Sequence, residues 1–246
     1  MATLLVTAFG AFPGAPSNPS ADIVAEIERH WRGRFSRIGV KLVTAVLPVV
    51  HAIGPLIDAL VARDKPDAIV HLGLAGRRRN VSVETRARNL ATMLKPDAHG
   101  AFSPQRSHRA HARAALPSAW NAARLVARLR EAGIDAAPSI DAGDYVCNAA
   151  LWRSLEADAA PAVFIHVPKK SRVRPADMAR ALAGVMPAMT LQLARAPRRA
   201  RERPAAGGDG FAPRHPGQRR ALRHEHVRAG VGLQLSVVTA RAGESA

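Results

Sequence analysis

The chain contains one cysteine, Cys147, and its surroundings favour a reactive thiol. It lies in the stretch 141–148, where Gly143 permits a sharp turn, and residues 148–156 have the pattern of a helix. At the start of a helix the backbone N–H groups are unpaired and the helix dipole is positive. Both features stabilise a thiolate, which is the nucleophilic form of cysteine. We therefore expect Cys147 to be a nucleophile at a helix N-terminus.

A histidine follows Cys147 nineteen residues later, within the short apolar segment 162–168 that has the composition of a buried strand. A cysteine together with this histidine, His166, at the end of a strand is the minimum that thiol catalysis requires. The structural alternative is that the cysteine is a small buried hydrophobic residue and the histidine has only structural hydrogen bonds. The spacing of the two residues does not by itself separate these alternatives.

The segments around these residues alternate between strand and helix patterns, with short connections. Strand patterns occupy 3–9, 39–48, 67–72, 81–89, 137–140 and 162–167, and helix patterns occupy 20–29, 49–63, 118–132, 148–156 and a segment from about Pro175. Apolar strands with little polar alternation are typical of strands buried on both faces. The alternation predicts a three-layer α/β/α domain, with the polar residues 95–116 forming a long surface loop.

The character of the chain changes after Ala194. Residues 195–246 contain eleven arginines against four acidic residues, are rich in Pro, Gly and His, and show no sustained periodicity. Such a composition buries too little apolar surface to offset the chain entropy that folding removes. We therefore predict a folded domain over 1–194 and a basic, disordered tail over 195–246, in which only 231–240 has strand character. Two origins stay open for the tail: a native basic segment, or GC-rich DNA translated in a shifted reading frame.

The composition of the 246 residues narrows the class of protein. A hydrophobic fraction of 48% is ample for a core, and a single cysteine excludes a disulfide scaffold and a cysteine-based zinc site. It fits a reducing compartment. Residues 1–9 contain neither a basic segment nor a long apolar run, so we expect no secretory signal, no transmembrane helix and a cytoplasmic location.

The formal net charge of +17 raises the question of an anionic partner. The positive charge is spread over the body of the chain as well as the tail, and the body lacks the aromatic–basic interleaving that stacks single-stranded bases. A nucleic-acid partner is therefore not favoured, and a membrane partner is not expected.

Several motifs, in this order along the chain, resemble those of the pyroglutamyl-peptidase I family of cysteine peptidases over about residues 3–186. They are Thr7–Gly14 followed by Asn18-Pro19-Ser20, the loop Gly73–Arg78, the stretch Glu84–Asn89, the turn Pro96–Gly100, Ala142–Asn148 and Phe164–Pro168. The last two match the family motifs A-G-x-[FY]-V-C-N and F-I-H-[VI]-P, and they contain the cysteine and the histidine. These two motifs are the most specific part of the resemblance.

The resemblance implies a phosphorylase/hydrolase-like α/β/α fold with a mostly parallel or mixed central sheet, and a triad of Cys147, His166 and Glu84. In such a triad His166 takes the thiol proton or holds the thiolate as an ion pair, and Glu84 fixes the imidazole tautomer. The implied reaction removes an N-terminal pyroglutamyl residue from a peptide through a thioester on Cys147, with no metal or organic cofactor. The structural alternative for Glu84 is a surface salt bridge with Arg86 or Arg88.

The resemblance also implies contacts to the substrate. Phe9, Phe12 and Tyr145 match aromatic residues that surround the pyroglutamate ring in the family, and Leu74 stands where the family has a glutamine. The alternative for the aromatic residues is a place in the core. The implied partners are peptides with an N-terminal pyroglutamate, and a homo-oligomer is implied as well.

Several positions depart from the family pattern. Ala8 and Ala11 replace a glycine and a proline, Leu74 replaces the glutamine, and Leu94 aligns with an arginine that helps to stabilise the oxyanion. Because the loss of one oxyanion donor lowers a rate by about 10²–10³, we expect reduced turnover, unless one of the arginines at 77–79 substitutes. Two rival functions stay open: a family member with lost or altered activity that acts as a binding protein, and a nucleic-acid-associated protein that uses the basic tail.

Overall fold

A six-stranded sheet with helices on both faces organises this computed structural model, which describes residues 1–169 and 173–196. The strands are β1 Ala2–Phe9, β2 Val40–Leu47, β3 Ala68–Ala75, β4 Val81–Glu84, β5 Arg86–Arg88, β6 Ala115–Pro117, β7 Ala136–Ser139 and β8 Ala162–Pro168. The helices are α1 Pro19–Arg37, α2 Ile53–Asp64, α3 Ala122–Glu131, α4 Val146–Glu156 and α5 Pro175–Arg195.

The strand order of the main sheet is β2-β1-β3-β8-β4-β7, and β5 and β6 form a separate antiparallel pair. Neighbours in the main sheet are parallel except β4 and β8, which are antiparallel. Parallel neighbours need crossover connections, and the helices between the strands provide them. The predicted mostly parallel, mixed sheet is confirmed.

Two apolar clusters lie on opposite faces of the sheet. Helices α1, α3 and α5 pack on one face, and α2 and α4 pack on the other. Within β1, Leu4 and Val6 belong to the first cluster, whereas Leu5 and Phe9 belong to the second. This division follows from the two-residue period of a strand, which directs successive side chains to opposite faces. The predicted three-layer α/β/α arrangement is confirmed.

Local sequence signals set the first helix, and tertiary packing extends the last. Asn18 caps α1, since its Oδ1 accepts a hydrogen bond from the backbone N–H of Ser20 at 3.2 Å, and a proline follows at the first helical position. Helix α5 continues through Pro187, where the helical pattern weakens in the sequence. Residues on both sides of this proline, Met186 and Met189, are buried against the sheet, so packing offsets the lost backbone hydrogen bond.

The stretch 81–89 does not form the single strand that its alternation predicts. It breaks at Thr85, whose backbone N–H and side-chain hydroxyl both donate to the carbonyl of Ser139, at 2.7 and 2.9 Å. Beyond the break, β5 leaves the main sheet and pairs with β6. The prediction of one continuous strand is therefore wrong, because long-range pairing with β6 decides the second half.

The described part of the chain ends close to the predicted domain boundary. Helix α5 ends at Arg195, and the tail predicted for 195–246 lies outside the described residues from 197 onward. Within 1–169 and 173–196, no helix is long and apolar enough to cross a membrane, and no three His, Cys, Asp or Glu side chains gather as metal ligands would.

Candidate active site

Cys147 is the second residue of α4, and a neighbouring segment holds the turn before it. Tyr145 is the N-cap in an extended conformation, with no side-chain hydrogen bond at the cap. The Tyr145 hydroxyl donates to the carbonyl of Pro96 at 2.7 Å, and the backbone N–H of Thr92 donates to the carbonyl of Asp144 at 2.6 Å. The thiol therefore lies at a helix N-terminus, as predicted, in a turn fixed from outside the helix.

Gly73 lies next to both Cys147 and His166. In the β3–β8 ladder Gly73 lies directly opposite His166. A β-carbon at Gly73 would lie only 3.2 Å from Sγ of Cys147. The thiol thus fills the space that a side chain at Gly73 would need, beside the strand position of the histidine. The ring of Phe164 packs against the imidazole from the same strand, with 4.5 Å between ring centroids.

His166 and Glu84 form a buried hydrogen-bonded pair. Nδ1 of His166 lies 2.8 Å from Oε1 of Glu84, which reaches it diagonally because Ser82 is the residue opposite His166 in the β4–β8 ladder. A carboxylate oxygen only accepts hydrogen bonds, so Nδ1 carries the proton and Nε2 keeps its lone pair. Glu84 has 0% of its surface exposed. The alternative of a surface salt bridge for Glu84 is therefore wrong.

Arg78 contacts the same carboxylate. Its Nη2 lies 3.2 Å from Oε1 of Glu84, and its Nη1 donates to the hydroxyls of Ser82 and Ser139, each at 3.0 Å. Nη2 also donates to the carbonyl of Asp141. The sequence presents three neighbouring arginines here, and only the path of the β3–β4 connection selects which one reaches the buried carboxylate.

The environment of Cys147 favours a neutral thiol at rest. Burial, followed by the negative charge of Glu84, raises the pKa of the Cys147 thiol to about 12. A hydrogen bond from the residue's own backbone N–H lowers the pKa, but by less than burial raises it. These effects oppose the predicted stabilisation of a thiolate by the helix N-terminus, and the charge state of the resting thiol stays a prediction. A base that takes the thiol proton as the sulfur attacks suits such a thiol.

A second buried histidine, His71, ties α4 to the sheet. Its Nδ1 lies 2.7 Å from Oγ1 of Thr7 on β1, and its Nε2 lies 2.9 Å from Oγ of Ser154 on α4. All three side chains are buried, and desolvation lowers the pKa of His71 to about 3, so the ring stays neutral. Sequence reasoning missed His71, although a histidine inside an apolar strand was the available signal.

Asn148, the residue after the thiol, anchors the start of α4 on its other side. Its Nδ2 donates to the carbonyls of Arg88 and Leu90, at 2.8 and 2.9 Å, and its Oδ1 accepts from the backbone N–H of Arg88 at 2.8 Å. These bonds fix α4 against the connection that leaves β5. Together with the bond from His71 to Ser154, they fix α4, which carries Cys147, near both of its ends.

A family model for pyroglutamyl peptidase matches residues 2–201 of the chain. The chain belongs to the pyroglutamyl peptidase family. Pyrrolidone-carboxylate peptidase of Thermococcus kodakarensis is 33% identical over 171 residues, which are 67% of this chain and 80% of that relative. The enzyme of the same name from Deinococcus radiodurans is 33% identical over 187 residues, or 72% of this chain and 84% of that relative.

A solved structure is similar over nearly its whole length. Pyrrolidone carboxyl peptidase from Thermus thermophilus superposes with a TM-score of 0.66 at 33% identity, covering 75% of this chain and 98% of that one. The resemblance drawn from the motifs is confirmed, and the family match extends some residues beyond the predicted boundary at 194.

The residues predicted to contact substrate occupy different environments. Phe9 is 2% exposed and stacks on Phe164 with 6.1 Å between ring centroids, so it lies in the core. Phe12 and Tyr145 are half-buried at the edge of the same cluster. Leu74 follows Gly73 on β3, and the strand period directs its side chain to the opposite face of the sheet.

The position aligned with the family's arginine is open to solvent. Leu94 is 87% exposed, in the segment that crosses the N-terminus of α4. Of the three arginines considered as substitutes, Arg78 is engaged with Glu84, whereas Arg77 and Arg79 are exposed. A longer side chain at Leu94 would meet no steric obstacle there.

Proposed function

We propose that this chain is a cysteine exopeptidase that removes N-terminal pyroglutamate from peptides, with Cys147 as nucleophile, His166 as base and Glu84 as the residue that orients the base. The observation that carries the proposal is the buried Glu84–His166 pair, placed opposite Gly73 where the thiol of Cys147 lies. Membership of the pyroglutamyl peptidase family supplies the substrate class.

The reaction would begin with the transfer of the thiol proton from Cys147 to Nε2 of His166 as the sulfur attacks the carbonyl carbon of the pyroglutamyl residue. Glu84 would stabilise the resulting imidazolium through Nδ1. The C–N bond would then break, His166 would give its proton to the departing amine, and a thioester would remain. Water, deprotonated by His166, would attack the thioester, release free pyroglutamate and restore the thiol.

This order of events agrees with the environment of the thiol. A thiol with a raised pKa does not supply a stored thiolate, so proton transfer must accompany attack. Of the two roles considered for His166, that of general base fits better than that of partner in a resting ion pair.

For the substrate, we propose that Phe12 and Tyr145 border the lactam ring, since both are half-buried and pack against the same apolar cluster as Cys147. Phe9 would act from beneath, by supporting Phe164. Leu74 would contribute through its backbone, because its side chain points to the other face of the sheet.

The deciding experiment is hydrolysis of pyroglutamyl-aminomethylcoumarin by the full chain. We expect Cys147→Ser and His166→Ala to lose at least about 10³-fold in kcat/KM, and Glu84→Gln to lose about 10²–10⁴-fold with little change in KM. His30→Ala is the matched control, because this exposed histidine lies on α1, on the opposite face of the sheet.

Two results would contradict the proposal. Activity that survives Cys147→Ser would exclude the thioester route. Absence of cleavage by a folded wild-type chain would favour a family member that binds without turnover, and coumarin substrates with other N-terminal residues would then test for altered specificity.

The organisation of the whole chain stays a prediction. We propose that the domain is complete near the end of α5, that the tail is dispensable, and that the enzyme works in the cytoplasm as a homo-oligomer. A chain truncated after Arg201, where the family match ends, should melt at the same temperature as the full chain and retain its activity. Sedimentation of both forms would give the oligomeric state.

A further inference from the structure

Arg78 contacts Glu84, the carboxylate that is paired with His166. On β4, its guanidinium contacts the carboxylate of Glu84 and the hydroxyl of Ser82. It also donates to the hydroxyl of Ser139 at the end of β7 and to the carbonyl of Asp141. Asp141 opens the turn that leads to Cys147. One side chain therefore joins the orienting carboxylate to the loop that presents the nucleophile.

The geometry of these contacts suits arginine alone. A guanidinium offers five N–H groups in a planar fork. Here Nη1 donates to two serine hydroxyls, while Nη2 contacts the Glu84 carboxylate and the Asp141 carbonyl. A lysine ammonium at the same site would keep the charge but could not reach every acceptor. The contacts thus separate two contributions, one of charge and one of shape.

The charge matters because Glu84 is fully buried. An isolated buried carboxylate is costly, and Arg78 is the cation that lies 3.2 Å from it. Within residues 1–169 and 173–196, the other oxygen of the carboxylate, Oε2, is buried without a hydrogen-bond partner, and the ion pair with Arg78 and the bond to His166 both fall on Oε1. Arg78 and His166 therefore share one oxygen, which can accept both contacts.

The shared oxygen has a chemical consequence. When His166 accepts a proton it becomes an imidazolium, and the positive charge of Arg78 behind the shared oxygen opposes that change. We propose that Arg78 is a positioning residue that holds Glu84 against the nucleophile loop and sets the pH range in which His166 acts as a base. This proposal rests on the proposed function for its kinetic meaning.

Other groups in the described part of the chain face this pair and must be kept constant in any test. They are Cys147 on α4 and Asp141, whose carboxylate pairs with Arg88 at 3.0 Å. Neither residue is replaced in the test, although the charge of Arg78 also helps to lower the pKa of the Asp141 carboxyl.

The test compares Arg78→Gln, which removes the charge, with Arg78→Lys, which keeps it. Arg79→Gln removes a charge from the neighbouring exposed arginine and is the control. For Arg78→Gln we expect the acidic limb of the kcat/KM profile to move to higher pH by about one unit, with kcat lowered about tenfold or more. For Arg78→Lys we expect kcat to fall by the same factor, while the acidic limb of the kcat/KM profile stays at its wild-type pH.

A second readout does not depend on turnover. The titration of the His166 ring by NMR, assigned by its absence in His166→Gln, should shift upward by about one unit in Arg78→Gln and stay in place in Arg78→Lys and Arg79→Gln. Thermal melts of each variant show whether it is folded, and Arg78→Met, which also removes the charge, replaces Arg78→Gln if that variant is unfolded.

The outcomes separate the two proposals. A wild-type chain that does not cleave the substrate would refute the proposed function, while the NMR shift would still decide the role of Arg78. If folded Arg78→Gln shows no shift in the acidic limb of the kcat/KM profile and none in the His166 titration, the proposed role of the Arg78 charge is wrong. Full wild-type kcat in Arg78→Lys would overturn the need for the fork.

Discussion

A β-carbon added to Gly73 would lie 2.6 Å from Cζ of Phe164, closer than folded proteins tolerate. Phe164 occupies this position because it packs between the ring of Phe9 and the imidazole of His166. The absence of a side chain at Gly73 therefore makes room both for an aromatic ring and for the thiol of Cys147, which lies 3.2 Å from the same point.

Gly73→Ala should consequently damage both stability and activity. We expect a loss of about 1–3 kcal/mol in the free energy of unfolding from overpacking, and a fall in kcat/KM of at least about tenfold as the thiol or Phe164 is displaced. Urea denaturation and coumarin hydrolysis measure the two effects. Gly184→Ala is the control, since its β-carbon meets no atom within 4 Å in α5 and should leave stability unchanged or slightly raised. Equal behaviour of the two variants would contradict the crowding at Gly73.

The thiol of Cys147 should react slowly near neutral pH. Because its pKa is raised to about 12, the thiolate fraction is small at pH 7.5, and labelling by iodoacetamide should be slower than in the urea-unfolded chain. The rate should increase steadily as the pH rises from 7 to 10. A fast rate that is independent of pH in this range would instead reveal a resting thiolate paired with His166.

The neutral state of His71 predicts a loss of stability in acid. The unfolded chain binds a proton at this histidine below pH 6.5, whereas the folded chain does so only at about pH 3. Stability contributed by the neutral ring is therefore complete above pH 6.5 and is lost as the pH falls toward 3, to a limit of about 5 kcal/mol. Urea denaturation between pH 4 and 7 should show a steeper decline for wild type than for His71→Gln. Parallel curves for the two proteins would show that His71 does not carry this dependence.

Leu94→Arg should increase turnover. The position aligns with the family's oxyanion-stabilising arginine, and Leu94 is exposed beside the N-terminus of α4 with room for a longer side chain. We expect kcat to rise by about 10-fold or more, with KM changed less, because such a donor acts mainly in the transition state. The same measurement on Leu94→Gln controls for removal of the exposed leucine. A brisk wild type that is slowed by Leu94→Arg would assign the oxyanion role to another group, with Arg77 the first to test.

Much of the fold follows from local patterns. The apolar runs of β1, β3 and β8 and the capped start of α1 are recognisable without any structure, and their alternation predicts the three layers. The failure lies at 81–89, where pairing with β6 outweighs the local signal. The two strands are far apart in the sequence, so a local pattern could not predict their pairing.

The site divides in the same way. The sequence by itself determined which residues are candidates for thiol chemistry. Cys147, His166 and Glu84 each lie in a motif that is a continuous stretch of the chain, so each can be recognised without a structure. Only the tertiary structure decided that Arg78 rather than its neighbours contacts Glu84, that Phe9 lies in the core, and that burial raises the pKa of the Cys147 thiol. Ion pairing and pKa depend on distance and burial in three dimensions, which spacing along the chain does not encode.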